Sequence, residues 1–134
     1  MNTAPGASAR IRLRHDAEER LRALAGPGHL EQVLDNVLSN ALGVSPDHGT
    51  ITVRSGREAG KAVIEVADRG PGLAAADRQR AFDRFWRGPA LTGRSGSGLG
   101  LAIVKQLVAD DGGTASLHED EHGGLCVRIV LRAA

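Results

Sequence analysis

One helical stripe constrains this chain more than any other feature. Leu30, Val33, Leu34, Val37, Leu38 and Ala41 recur at i, i+3, i+4, i+7, i+8 and i+11, the repeat of an α-helix that buries one face. The spacing predicts a helix from His29 to Leu42, preceded by the breaker Gly26-Pro27-Gly28. The surface it needs comes from strands. Ile51-Thr52-Val53 and Ala62-Val63-Ile64-Glu65-Val66 are β-branched runs joined by a turn between Ser55 and Gly60, which reads as a hairpin. Ile11 and Leu13 alternate with Arg10, Arg12 and Arg14, and Leu125, Val127, Ile129 and Leu131 alternate with Arg128 and Arg132. A second helix is expected from Gly98 to Ala109, ended by Gly112-Gly113, with two strands after it. The stretch from Asp16 to Leu24 is ambiguous: Glu18, Glu19, Arg20 and Arg22 favour helix, while Leu21-Arg22-Ala23-Leu24 suits a short strand. Strands paired locally, with helices delivered between hairpins, give an α+β class: a two-layer sandwich whose mixed sheet carries helices on one face.

Composition narrows the setting. A chain of 134 residues with 41% hydrophobic content makes one domain with a real core. Its net charge of +1 comes from acidic and basic residues mixed along the chain, so no nucleic-acid partner and no direct membrane contact are expected. The single cysteine, Cys126, has no partner for an internal disulfide, and no apolar run reaches the roughly 20 residues that span a bilayer. A cytoplasmic, soluble setting follows. Residues 1–8 are small-residue-rich and read as a frayed end, leaving 9–134 as the domain.

Three separated motifs carry chemistry. Asn36 and Asn40 lie four residues apart on the striped helix, just beside its apolar face, where a ligand pocket can form. Their amide oxygens are hard neutral ligands suited to Mg²⁺; the plain alternative is a pair of hydrated polar residues. Asp68-Arg69-Gly70-Pro71-Gly72 closes a strand. A carboxylate there can accept a hydrogen bond from an exocyclic amino group, with Gly70 and Gly72 permitting close approach; alone, the same pattern is an Asx turn. Gly96-Ser97-Gly98-Leu99-Gly100-Leu101 opens the second helix. It fits neither a dinucleotide fingerprint nor a P-loop, yet free N–H groups at a helix N-terminus bind phosphate without a lysine. All three aromatic residues, Phe82, Phe85 and Trp86, fall within five positions of one another. They could be a satellite core under a long loop.

In this order, with Phe82-Asp83-Arg84-Phe85-Trp86-Arg87 between the last two, the motifs resemble the N, G1, F and G2 boxes of the ATP-binding catalytic domain of sensor histidine kinases. The resemblance covers 9–132 and implies the Bergerat fold shared with gyrase B, heat-shock 90 chaperones and mismatch-repair ATPases. It makes ATP and Mg²⁺ the cofactors and Asn40 the metal ligand, and it favours a strand within 16–24. Asn36 stands where the ATP-hydrolysing relatives carry a glutamate that activates water, so it favours phosphotransfer over hydrolysis. Asp68, Gly70 and Gly72 would hold the base; Gly96, Gly98, Leu99, Gly100 and Leu101 the phosphates; and a mobile lid over about 73–97 would add Arg87 and Arg94. The implied partners are a dimerisation domain bearing the phosphoacceptor histidine and a response-regulator receiver domain, the isolated domain being monomeric.

The chain departs from the family pattern. Gly43 and Val44 replace the usual basic and aromatic pair after the second asparagine, and Leu125 follows Gly123-Gly124 where the family often has Thr or Ser. None of the five histidines has the phosphoacceptor setting: His29 opens a helix, and His118-Glu119-Asp120 falls in an expected hairpin turn, both ordinary surface positions. The chain should therefore bind ATP without autophosphorylating. Two other readings stay open: a serine kinase of the anti-sigma-factor type, and a degenerate docking module.

Overall fold

In the computed structural model, which describes residues 12–17, 21–44, 49–83, 100–121 and 123–134, the stripe becomes the inner side of α1 (His29–Val44). Val33, Val37 and Ala41 are buried, with Leu30, Leu34 and Leu38 packed at the margins. Gly28, at φ 74°, turns the chain into this helix, a conformation glycine adopts without a Cβ penalty. The strands are β1 (Arg12–Ala17), β2 (Thr50–Glu58), β3 (Lys61–Ala67), β4 (Thr114–Glu119) and β5 (Leu125–Arg132), and the remaining helices are α2 (Ala75–Arg80) and α3 (Gly100–Asp110).

The five strands form one sheet in the order β1-β2-β3-β5-β4. β1 runs parallel to β2 and every other pair is antiparallel, so the sheet is mixed. The parallel pair needs a crossover, which α1 supplies. Ile64 and Val66 of β3, Val127, Ile129 and Leu131 of β5 and Leu117 of β4 face the helices, where Leu101, Val104 and Val108 of α3 meet them. This is the α+β two-layer arrangement, and the fully buried core residues among those described are aliphatic.

On the other face, Arg54, Glu65 and Arg128 stand side by side on β2, β3 and β5. Glu65 accepts from Arg54 Nε at 3.3 Å and from Arg128 Nη1 at 2.9 Å, and Arg128 Nη2 also reaches Glu58 at 2.8 Å. Each exposed pair contributes under about 1 kcal/mol. Together the charges let this face stay wet without a second helical layer. Cys126 lies in the same face, where burial and then Glu65 push its thiol up to about 11.

Several local expectations change. Within the ambiguous stretch, Asp16 and Ala17 finish β1, and the pairing around Ala23 is a single bridge to Ala133, flanked by Leu24 N–H to Arg132 O and Ala134 N–H to Arg22 O. Leu24 is exposed, so no apolar alternation sustains a longer pairing. The β2–β3 turn shrinks to Ala59-Gly60, both at positive φ (50° and 77°), because Glu58 pairs with Lys61 and carries the ladder to the tip. His118 and Glu119 belong to β4 and not to a turn; the turn begins at Asp120, whose N–H donates to the Gly124 carbonyl. His29 is not a free surface residue, since its ring Nδ1 lies 3.0 Å from Asp111 Oδ2. Within the stretch expected as a lid, 75–80 is helical, and Ala81 and Phe82 beyond it pack on the core.

Candidate functional site

The C-terminal half of α1, the loop after β3, the first turn of α3 and the start of β5 enclose a cleft of about 560 Å³, counted to include its open mouth. Such a volume suits a small-molecule ligand. Its walls are mostly aliphatic, including Val44, Leu73, Leu101 and Leu125, and the polar side chains lining it are Asn40 and Asp68.

Asp68 follows the last residue of β3 and is buried. Its Oδ1 accepts from Gly70 N–H at 2.8 Å and Leu125 N–H at 3.2 Å. The Gly70 bond is the Asx turn expected for an isolated Asp-x-Gly. No described residue donates to Oδ2, which leaves that oxygen as the acceptor available to a ligand. Burial pulls the Asp68 carboxyl above its ordinary range, and the two N–H groups offset this only in part. A donor brought to Oδ2 would relieve that cost.

The glycines here serve backbone packing. A Cβ on Gly70 would lie 2.7 Å from the Val44 carbonyl oxygen; one on Gly72, whose φ is 71°, would lie 2.8 Å from the Gly123 carbonyl oxygen. Gly124 is tighter still, because a Cβ there would run into the Asp68 carbonyl. The β4–β5 turn thus clamps the Asp68 loop from behind, with Asp68 N–H donating to Leu125 O at 3.0 Å.

At the other end of the cleft, Asn36 and Asn40 face the start of α3. The Cβ position of Gly100 is 3.7 Å from Asn36 Oδ1 and 3.8 Å from Asn40 Nδ2. Neither side-chain amide hydrogen-bonds to another described residue. The first turn of α3 carries no acidic side chain, so no carboxylate of its own offsets the positive end of its dipole. Neutral amide oxygens beside such a helix end suit a hard cation that takes its other ligands from water and phosphate. No group of three or more His, Cys, Asp or Glu that could hold a metal alone occurs among the described residues.

The structure therefore brings together Asn36, Asn40, Asp68, Gly70, Gly72, Gly100 and Leu101. Arg87, Arg94, Gly96, Gly98 and Leu99 lie outside the described residues, as do Phe85 and Trp86. Phe82 is half-buried, and Lys105 of α3 sits 5.6 Å from its ring centroid. Sequence reasoning missed the cleft walls Leu73 and Val127, while Val44, read as a departure from the usual aromatic, does line the cleft. Apolar periodicity marks a residue as inward-facing without telling a core from a cleft wall.

Residues 25–134 match the family model described as histidine kinase-, DNA gyrase B- and HSP90-like ATPase. The chain is 41% identical over 128 residues to the sensor-like histidine kinase SenX3 of Mycobacterium tuberculosis, covering 94% of this chain and 31% of that protein. It is 40% identical over 103 residues to the sensor protein kinase PmrB of Pseudomonas aeruginosa, covering 76% and 22%. It thus spans less than a third of the length of these curated relatives. Among solved structures, the mycobacterial sensor histidine kinase MprB superposes with a TM-score of 0.84 at 32% identity, covering 92% of this chain and 84% of that one. ShkA, solved full-length in complex with AMPPNP, gives 0.78 at 30% identity, covering 92% and 26%. With this fold and these matches, the chain belongs to the histidine kinase-, DNA gyrase B- and HSP90-like ATPase family, on its sensor histidine kinase branch.

Proposed function

We propose that this chain is the ATP-binding catalytic domain of a sensor histidine kinase, presenting the γ-phosphate of ATP to a phosphoacceptor histidine on a separate dimerisation domain. The observation that carries this is the polarity of the cleft: one buried acceptor among aliphatic walls at one end, paired amides against a helix N-terminus at the other. The aliphatic end takes the adenine ring, with Asp68 Oδ2 accepting from its amino group. Guanine has a carbonyl at that position and would set acceptor against acceptor. The polar end takes the phosphates, on the N–H groups of Gly100 and Leu101.

Asn40 would hold Mg²⁺, which supplies charge neutralisation across the phosphates when bound. Asn36 is an amide and removes no proton from water, so the site positions a phosphoryl group and leaves nucleophilic attack to an incoming imidazole. Gly96, Gly98, Leu99, Arg87 and Arg94 complete the phosphate side in this reading. The dimerisation domain and a response-regulator receiver domain are the partners, and the setting is cytoplasmic. No helix among the described residues is long and apolar enough to cross a membrane.

The test is a calorimetric titration with Mg-ATP, ADP and GTP, followed by phosphotransfer to a supplied dimerisation domain. Saturable binding that prefers adenine, together with label on the supplied histidine, is the expected result. Asn40→Ala should abolish the magnesium dependence. Absence of any nucleotide binding would mean that Gly43 and Val44 have emptied the pocket and that the chain is a docking module.

A further inference from the structure

The three elements that open the cleft meet again at their far ends. α1 offers Asn40 and Val44 to the cleft, carries Asn36 beside Gly100, and begins at His29; α3 offers Leu101 and ends beside Asp111; β5 offers Leu125 and Val127 and ends at Arg132. His29, Asp111 and Arg132 form one cluster with Gly26. Asp111 Oδ1 accepts from Gly26 N–H at 3.0 Å. His29 Nδ1 lies 3.1 Å from Oδ1 and 3.0 Å from Oδ2, and because a carboxylate only accepts, that nitrogen carries the proton. His29 N–H returns to the Gly26 carbonyl at 3.1 Å, and Arg132 Nη2 reaches the Asp111 carbonyl at 3.4 Å.

The cluster has no slack. A Cβ on Gly26 would lie 2.6 Å from His29 Cε1, so the ring fills the space a side chain would need. Burial pulls the Asp111 carboxyl up, but the Gly26 N–H, the His29 ring and Arg132 outweigh it and hold its pKa below the ordinary carboxylate range.

We infer that His29 is a positioning residue for the phosphate end of the site: its bond to Asp111 fixes where α3 stands along α1, and so where the Gly100 N–H groups stand relative to Asn36 and Asn40. Both helices are stiff rods. α3 is about 15 Å long, so a small slide or tilt at the clasp arrives at Gly100 nearly undiminished. At that near end the described contacts are the apolar packing of Leu101 and Val104 and van der Waals approach to the two asparagines. A metal–phosphate site tolerates displacements of about 0.5 Å. The base end is less exposed to such a shift, because Asp68 is held by Gly70 and Leu125 and only the Leu101 wall rides on α3.

This inference rests on the proposed nucleotide site and separates the site's two ends. Mg-ATP and adenosine are titrated calorimetrically into the wild-type chain, His29→Ala and His29→Asn. Asparagine places an amide N–H close to where Nδ1 stands. In His29→Ala, Mg-ATP binding should weaken by about three- to tenfold, the size of one net hydrogen bond, with adenosine binding unchanged. His29→Asn should lie within about twofold of wild type. Asp111→Asn, which retains an acceptor for Gly26 N–H, should show the same split to a smaller degree and serves if His29→Ala does not fold. Unchanged Mg-ATP affinity in His29→Ala, or an equal loss for adenosine, overturns the positioning role and leaves the nucleotide site standing. A wild-type chain that binds neither ligand overturns the site itself, and this inference with it.

Discussion

At Asp68 the needs of the fold and of a ligand pull one carboxylate in opposite directions. The fold buries it and raises its pKa, so between the ordinary carboxylate value and the raised one the native state holds more protons than the unfolded chain. Stability therefore falls as pH rises through that window. Asp68→Asn mimics the protonated form and keeps an oxygen for the Gly70 and Leu125 N–H groups. It should melt at or above the wild-type temperature at neutral pH, the gap narrowing toward acid pH. Its amide N–H₂ would stand where Oδ2 meets the adenine amino group, donor against donor, so Mg-ATP affinity should fall at least tenfold, the loss of about 1.5–3 kcal/mol for a bond to a charged acceptor. Thermal melts across pH beside calorimetry check both halves; a variant that binds as wild type removes Asp68 from the base site. The sequence made this residue legible through the Asp-x-Gly-x-Gly pattern, but not what the glycines face. Gly70 and Gly72 approach the Val44 and Gly123 carbonyls, contacts between segments far apart in sequence that no local pattern encodes.

Elements with strong periodicity were readable, and those without it were not. α1 follows from its stripe, overshooting the expected end by two residues to Val44. β5 follows from its alternation. α2 escaped because six residues, Ala-Ala-Asp-Arg-Gln-Arg, show no apolar period and none is buried. The β2–β3 turn was drawn too wide because Arg57 and Glu58 look like loop residues, whereas Arg57 pairs with Ala62 and Glu58 with Lys61 in the ladder, Glu58 also accepting from Arg128. The true turn carries a cost: Ala59 sits at φ 50°, in the left-handed region, which burdens a residue with a Cβ by about 1–2 kcal/mol. Ala59→Gly removes that strain and returns about 0.5–1 kcal/mol through the freer unfolded chain. The expected outcome is a gain below about 1 kcal/mol in urea unfolding with the m-value unchanged. A loss of stability would show that the turn does not hold Ala59 in this conformation.

Across the whole molecule, the cleft is built from element ends while the core is built from element middles, and this decides how binding is felt. Ile64 and Ile129 lie near the centre of β3 and β5, buried beneath the helices, and their amides exchange when the sheet unfolds as a unit. Edge strand β1 pairs with β2 and is separated by it from β3 and β5. A ligand that binds the native state alone stabilises it by RT ln(1 + [L]/Kd), about 2.7 kcal/mol at a hundredfold excess over Kd. Mg-ATP at that level should therefore slow exchange at Ile64 and Ile129 by about a hundredfold. Amides of Arg12–Ala17, which can open without dismantling the cleft, should hardly change. Native-state hydrogen exchange reads both sets in one experiment. Protection confined to 36–44, 68–73 and the start of α3, with Ile64 and Ile129 unmoved, would mean that the cleft opens independently of the sheet. The clasp at His29 would then couple two helices to each other but not to the core beneath them.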